Sequence, residues 1–383
     1  MVDGHPAPRL VVLQPSSLCN LNCTYCYVPG RQDSSLMSEE VISAAARFIF
    51  SCNFPNGEVE FLWHAGEPLA VGLPFYERAF SIIEDSAVGG LTLSHVMQTN
   101  GTLVDRDWCA FFRKHRIFVG LSVDGPALLH DKNRPTWGGR GTHAKVMRAF
   151  DLLREAGMSP TAICVLTNES LSSPDAIYDF FVTSGFKSVG FNIEESEGTH
   201  KSSLLMPNDK SVRDSYAEFL KRIYERWRAD GYALRIREFN HLLNCVRCIQ
   251  RDDDFVREPD EVVPFGILTI RRDGGISTYS PELASTKSIQ YNDFLIGNVL
   301  NDSPLDVIRG NSFSRLQAEV AYGQSRCREG CTYYALCGGG FQSNRFTEHG
   351  SVRAMETLTC RLHRQTLIDV FVDQLHIDSM QRR

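Results

Sequence analysis

A parallel α/β barrel of six strand–helix repeats, followed by a small cysteine-rich unit, is the fold this sequence predicts. Three observations predict it. Six short apolar runs of strand character alternate with six amphipathic helical stretches. The alternation stops near residue 240, ahead of a charged segment at 251–261. Beyond that segment the style changes, and cysteines and glycines crowd into 327–340.

The first strand, 9–14, reads Arg-Leu-Val-Val-Leu-Gln and is stopped by Pro15. A short apolar run with such a stop reads as a buried strand. Stretches 58–64, 93–98, 117–123, 161–166 and 188–193 repeat the pattern. Ser38-Glu-Glu opens the first helix as a capped N-terminus, and Val41, Ile42, Ala45, Phe48 and Ile49 carry its helical spacing. Further helices are expected at 75–86, 104–115, 144–157, 174–185 and 210–230. After the charged segment, 265–270 and 276–279 flank a turn at Asp273-Gly-Gly and read as a hairpin. A short helix about 304–319 and a final helix about 360–379 complete the chain. The expected division is 1–235 as barrel, 236–262 as bridge and 263–383 as a small unit. Cysteines, rather than a large core, would have to organise that last unit.

Composition narrows the function classes. Of 383 residues, 43% are hydrophobic and 22% charged, ordinary for a soluble globular protein. The formal net charge is −6 with no block of lysines and arginines, which argues against nucleic-acid binding. Met-Val-Asp-Gly-His-Pro at the N-terminus has no signal-peptide pattern, and no apolar run approaches the ~20 residues of a membrane span. A cytoplasmic protein with no membrane partner is the expectation. Twelve cysteines in that compartment point to metal or redox use rather than disulfides. Cys52, Cys109 and Cys164 lie singly in apolar segments and are expected in the core.

The chemistry-bearing residues fall at predicted strand ends, where parallel α/β folds gather their sites. Cys19, Cys23 and Cys26 follow the first strand with Cys-x3-Cys-x2-Cys spacing. Three thiolates on one loop can hold three irons of a [4Fe–4S] cluster and leave the fourth open, as a catalytic metal position requires. His64-Ala-Gly-Glu-Pro68 follows the second strand, Gln98-Thr-Asn-Gly101 the third and Ser122-Val-Asp-Gly-Pro126 the fourth. Asn192 and Glu194 end the sixth. Far downstream, Cys327, Cys331, Cys337 and Cys360 supply four thiols, with Gly338-Gly-Gly340 allowing close backbone approach. Four thiolates saturate either a zinc ion or a [4Fe–4S] cluster, and the spacing does not choose. Cys245 and Cys248 sit in a helical pattern over 240–249 and are weaker ligand candidates.

The N-terminal triplet on the loop after the first barrel strand resembles the radical S-adenosylmethionine (radical SAM) superfamily. That resemblance implies a partial (β/α)6 TIM-like radical SAM barrel whose open iron chelates the amino and carboxylate groups of SAM. Gly66, Glu67 and Pro68 resemble the family's Gly-Gly-Glu-Pro motif, which receives the SAM amino group; Ala65 replaces its first glycine. Gln98, Thr99 and Asn100, and Ser122 and Asp124, resemble stretches that contact the ribose and methionine of SAM. Arg134, in His130-Asp-Lys-Asn-Arg134, resembles an arginine that pairs with the SAM carboxylate, a geometry an arginine fork suits. Asn192 is placed to reach cofactor or substrate.

The C-terminal segment resembles the SPASM domain, whose usual form holds two auxiliary clusters through Cys-x2-Cys-x5-Cys-x3-Cys. Here the first gap is x3, Phe341 stands where the last cysteine would be, and 278–282 lacks the hairpin cysteine. The resemblance therefore implies one auxiliary [4Fe–4S] cluster on Cys327, Cys331, Cys337 and Cys360. Ser277-Thr-Tyr-Ser-Pro-Glu-Leu283, Cys327-Arg-Glu-Gly-Cys-Thr-Tyr-Tyr-Ala-Leu-Cys337 and Glu356-Thr-Leu-Thr-Cys-Arg-Leu362 look like the GrrM/OscB-type maturases. Those enzymes join an aromatic ring carbon to a side-chain β-carbon within a ribosomal precursor peptide, forming a cyclophane. Membership would imply a 5′-deoxyadenosyl radical that removes the β-hydrogen, an auxiliary cluster that takes the surplus electron, and Glu282 as base for the ring proton. It would also imply a low-potential electron donor such as flavodoxin or ferredoxin. The hairpin near 265–279 is a candidate for pairing with an extended peptide, and no leader-binding domain is expected before the barrel. Alternatives are a sulfatase-maturating-type dehydrogenase, a thioether-forming maturase and, outside enzymes, a zinc-binding α/β interaction protein.

Overall fold

The strand at 10–14 is an interior strand of one continuous sheet. The computed structural model describes residues 7–200, 202–203, 205 and 210–381; the N-terminal hexapeptide considered for targeting lies outside them. In chain order the repeats run β1 Leu10–Gln14, α1 Glu39–Phe50, β2 Glu58–Trp63, α2 Leu73–Ser86, β3 Thr92–Thr99, α3 Arg106–Lys114 and β4 Phe118–Ser122. Then follow α4 Ala127–Asn133, α5 His143–Glu155, β5 Thr161–Leu166, α6 Pro174–Ser184, β6 Ser188–Ile193 and α7 Lys210–Ala229. The six predicted strands form within a residue or so of their expected bounds. Short α4 has no apolar periodicity to announce it.

Local chemistry starts and stops these elements. Ser38 Oγ accepts from Val41 N at the head of α1, and Asp105 accepts from Trp108 N at the head of α3. Gly185 closes α6 in the left-handed conformation, as a helix C-terminus favours. Each helix then covers the sheet with its apolar face. Trp63 on β2 stacks on Phe80 of α2 at 5.6 Å between ring centres, and Phe80 meets Phe111 of α3 at 5.3 Å. Cys52, Cys109 and Cys164 are buried in this packing, as a small apolar side chain would be.

The C-terminal part departs from the expected division. The bridge is mostly helix: β7 Arg235–Ile236 leads straight into α8 Arg237–Ile249, which carries Cys245 and Cys248. The hairpin of β8 Ile267–Arg271 and β9 Gly275–Thr278 does not begin a separate sheet. β8 lies parallel to β1 from Leu10↔Ile267 to Gln14↔Arg271, and β9 returns antiparallel to β8. With β10 Gly297–Asn298 against β9, the order is β10-β9-β8-β1-β2-β3-β4-β5-β6-β7. One hydrophobic cluster likewise runs from Val11 through Leu268 and Ile270 to Phe371. The core of the barrel thus crosses the expected boundary at 263. Both neighbours of β8 are filled, so this strand offers no free edge for an added peptide strand.

The remaining helices are α9 Pro304–Arg309, α10 Asn311–Gly330, α11 Tyr334–Cys337, α12 Gln342–His349, α13 Leu358–Cys360 and α14 Leu367–Gln381. Gly310 splits the expected helix at 304–319 into α9 and α10. Between α13 and α14 the chain winds as a π-helix over Arg361–Thr366. No helix among the described residues is long and apolar enough to cross a membrane.

Candidate active site

The C-terminal ends of the strands open onto one cavity of about 1300 Å³. That exceeds the ~300–1,000 Å³ of an ordinary small-molecule site. Cys19, Cys23 and Cys26 line it on the loop after β1. The loop is tied down on several sides. Asn22 N and Thr24 N donate to Pro135 O and Asn133 O at 2.8 and 2.9 Å, and Trp137 Nε1 donates to Cys19 O at 2.9 Å. Asn20 bonds both Thr102 and Asn100 on the loop after β3.

Burial makes these thiols poor anions by themselves. It pushes Cys19 up to about 12 and Cys23 to about 11. A thiolate is stable there only beside a cation, which a bound metal centre supplies. The triplet on the wall of a large cavity therefore fits a cluster with an open iron.

The turn after β2 is built around two left-handed residues. Gly66 has φ +57°, and a Cβ there would lie 2.3 Å from Leu18 O. Glu67 N donates to that same carbonyl at 2.7 Å, locking the turn to the cysteine loop. Ala65 has φ +81°, a conformation that favours glycine. Glu67 Oε1 accepts from Leu69 N and Thr99 Oγ1, and Oε2 from Asn100 N. A carboxylate has about four lone-pair positions, so one remains for a cofactor amine. Burial holds this carboxyl up at about 6.

The expected cofactor residues divide into a wall and its support. Gly66, Glu67, Gln98, Asn100, Ser122, Arg134 and Asn192 line the cavity. Pro68, Thr99 and Asp124 do not; they stand behind it. Thr99 holds Glu67. Pro68 O accepts from Tyr76 Oη, fixing the turn to α2. Asp124, fully buried, accepts from Tyr25 Oη, from Val165 N and from two atoms of Arg134. The Arg134 Nε and Nη2 contacts, at 3.0 and 3.1 Å, spend its fork on Asp124. The expected pairing of this fork with a cofactor carboxylate therefore meets a fork already occupied. Asn192 accepts from Arg237 Nη2 at 2.6 Å.

Glu282 follows the hairpin, on a 3₁₀ turn at Pro281–Ser285, and lines the same cavity, where Ser280 Oγ donates to it. Residues not singled out from the sequence surround it. Tyr27 and His64 line the cavity, and the Tyr27 hydroxyl and His64 Nδ1 are buried without partners. Glu195 and Glu197 lie beyond β6, and Asn344 Nδ2 on α12 donates to both, at 3.1 and 3.0 Å. Burial raises Glu195 to about 7 and holds Glu197 well above the ordinary carboxylate range. His64, Glu195 and Glu197 follow strands and were findable by that rule. Asn344 lies about 150 residues away on a polar helix, with no local signal.

A second cavity, of about 290 Å³, is lined by Cys327, Cys331, Cys337 and Cys360 together with Gly339 and Arg345. A water occupies about 30 Å³, so this space suits a polynuclear cluster better than one ion. No three His, Cys, Asp or Glu side chains among the described residues crowd one point closely enough for a single ion. Arg345 Nη2 donates to Cys327 Sγ at 3.1 Å and to Gly339 O, and is itself buried. Gly338 has φ +74°, and a Cβ there would lie 2.4 Å from Arg257 O, so the glycine run lets the two backbones touch. Burial raises Cys360 to about 12. A metal centre would relieve these thiols too. Cys245 and Cys248 do not line this space; Cys245 Sγ lies 3.6 Å from His241 Nε2.

Comparison with known proteins agrees with this geometry. Residues 13–194 match the model of the radical SAM superfamily. An uncharacterised protein of Synechocystis sp. is 39% identical over 96% of this chain and 92% of its own length. The serine-type anaerobic sulfatase-maturating enzyme of Klebsiella aerogenes is 32% identical over 67% of this chain and 65% of its own length, just under two thirds of that enzyme. Among solved structures, native anSMEcpe with bound AdoMet and the Cp18Cys peptide superposes with a TM-score of 0.75 at 23% identity, covering 98% of this chain and 100% of that one. At that identity the likeness speaks for the fold.

Two outcomes test the local geometry. Ala65→Gly should stabilise the protein by about 1 kcal/mol, because it removes a left-handed alanine at a modest entropic cost. An unchanged or lower denaturant midpoint would contradict the strain. Arg134→Ala should destabilise by about 3–5 kcal/mol, because it leaves a buried carboxylate without its cation. Adding Asp124→Asn should recover part of that loss in the same measurement.

Proposed function

We propose, from the premise that the chain belongs to the radical SAM superfamily, that its large cavity modifies a ribosomal precursor peptide by forming an aromatic-to-β-carbon cross-link. The chain is a radical SAM enzyme, and a [4Fe–4S] cluster and SAM are the family's cofactors. One observation carries the peptide reading. Three open-loop thiols, the Gly66–Glu67 turn and Glu282 line a single cavity of about 1300 Å³, roomier than a cofactor alone needs. The peptide bound beside AdoMet in anSMEcpe supports it.

In this reading Cys19, Cys23 and Cys26 hold the open-iron cluster, and Cys327, Cys331, Cys337 and Cys360 hold one auxiliary cluster. When bound, the first centre with SAM supplies a 5′-deoxyadenosyl radical that accepts one hydrogen atom, and the second supplies an acceptor for one electron. The chain's own residues do the rest. Glu67 orients the cofactor amine through its free lone-pair position. Gln98, Asn100 and Ser122 give the cavity wall its hydrogen-bonding face. Glu282 takes the ring hydrogen as a proton, so that two C–H bonds are lost and one C–C bond forms. Reacting atoms must be held about 3–3.5 Å apart for this. A flavodoxin or ferredoxin is the class of donor the first centre would need.

A second reading has its own support. The similarity to the Klebsiella sulfatase-maturating enzyme favours dehydrogenation of a serine or cysteine side chain, with Glu282 taking the proton from its heteroatom. The cross-linked peptide and the serine-derived aldehyde are both two hydrogens lighter than the substrate; a cysteine-derived thioaldehyde is too, until water replaces its sulfur by oxygen with release of hydrogen sulfide. Tandem mass spectrometry of a co-expressed peptide separates them: a cross-link suppresses fragmentation between the joined residues, and a carbonyl does not. Free fragmentation throughout the modified segment would overturn the cross-linking reading.

Reconstituted protein should bind close to eight irons, about four per cluster, and replacing Cys19, Cys23 and Cys26 by alanine should leave about four. Cys337→Ala should still form 5′-deoxyadenosine and yield no cross-linked peptide. A folded Cys337→Ala protein that lacks the second cluster and cross-links at the wild-type rate would reduce that cluster to a structural role.

A further inference from the structure

We propose that Arg364 and Arg257 form a carboxylate-binding subsite in the wall of the large cavity, which anchors the substrate by an acidic side chain or its C-terminal carboxylate. The proposal rests on the reading that this cavity receives a peptide.

Arg364 sits in the π-helical turn Arg361–Thr366, between α13 and α14. A π-turn inserts one residue into the helical winding and re-aims the side chains that follow, which is why such turns gather at functional sites. Here it sends Arg364 to the cavity wall. Its guanidinium carbon lies 4.5 Å over the ring of Phe341, which holds the plane of the fork. Its Nε is buried with no hydrogen-bond partner.

Arg257 reaches the same cavity from the segment after α8. Its backbone N–H donates to Ala335 O at 2.9 Å and its Nη1 to Cys337 O at 3.2 Å. Arg364 lines the same cavity. His241, on the same wall, stays neutral: burial, Arg257 and Arg364 together press it down to about 4. Neither arginine makes an ion pair among the described residues. Glu195 and Glu261 line the same cavity.

A guanidinium with a buried, unpartnered Nε, on a wall that a second arginine shares, calls for an anion. The planar fork selects a carboxylate, which it can bind through two parallel hydrogen bonds. Phe341 is also where the SPASM resemblance expects a cluster cysteine, so the ring under Arg364 stands in a position a thiol would otherwise claim.

The test uses cluster-loaded protein with SAM under anaerobic calorimetry. N-acetylglycine, a bare carboxylate probe, should bind wild type at least tenfold more tightly than N-acetylglycinamide. Arg364→Gln should abolish that preference, and Arg364→Lys, which keeps the charge and loses the fork, should retain part of it. Four forms of one acetylated Gly/Ser/Phe octapeptide, carrying Asp or Asn inside and a C-terminal carboxylate or amide, then identify which carboxylate is read. Equal binding of acid and amide by wild type, or the same preference in Arg364→Gln, overturns the subsite. So does a variant that shifts only the auxiliary cluster's reduction potential, since that would make Arg364 a counter-charge. If N-acetylglycine behaves as expected and none of the four peptides binds, the subsite stands and the peptide reading fails.

Discussion

The parallel ladder between β1 and β8 is the contact on which the rest of the arrangement depends. β1 leads into the cysteine loop, and β8 begins the hairpin that leads to Glu282. Five residue pairs, Leu10↔Ile267 to Gln14↔Arg271, fix one strand against the other. A strand ladder is stiff along its length, and a slip of one residue would turn every side chain to the opposite face. The points at which the cysteine loop and the hairpin leave the sheet are therefore fixed by backbone hydrogen bonds. Gln14 Nε2, donating to Pro281 O at 3.3 Å, adds a direct link across the same seam.

Electrostatics then decide what the enclosed space can hold. Buried ionisable groups are costly unless paired, and the cavity contains both kinds. Asp124 and Arg134 satisfy each other and support the wall. Glu67 is balanced by three hydrogen bonds from neutral donors. The seven cysteines proposed as ligands, the Glu195–Glu197 pair and the Arg257–Arg364 pair are not balanced by the chain alone. The first set is suited to metal clusters, and the last two face the space left for substrate. Sites that a chain leaves electrostatically incomplete are where ligands contribute most.

Two irregular turns lie at the same place. Ala65 and Gly66 are both left-handed, in the turn that Glu67 N bonds to Leu18 O. The π-turn carrying Arg364 departs from regular winding directly after Cys360. These departures cost free energy locally and are held by the surrounding hydrogen bonds, a pattern associated with binding sites rather than with surface loops.

Much of this was legible from local sequence. The six barrel strands carry their own signal, because each buries at least alternate residues of a short apolar run. The cysteine triplet and the Gly66–Glu67 turn announce themselves because metal ligation and a left-handed turn each need particular residues at fixed spacing. The linear pattern could not show that the hairpin joins the barrel sheet, since strand partners are chosen by register and not by neighbourhood. Nor could it show that Thr99, Pro68 and Asp124 stand behind the wall while Gln98, Asn100 and Ser122 face it: strand alternation separates Thr99 from Gln98, but Pro68 and Asp124 lie past the strand ends, where the turn and not the pleat aims the side chain. Asn344 and Arg364 lie furthest from any local signal. Each is one polar residue on a C-terminal helix. Folding gave them a role by carrying that helix across the sheet, because the free energy that positions them comes from apolar contacts elsewhere in the chain.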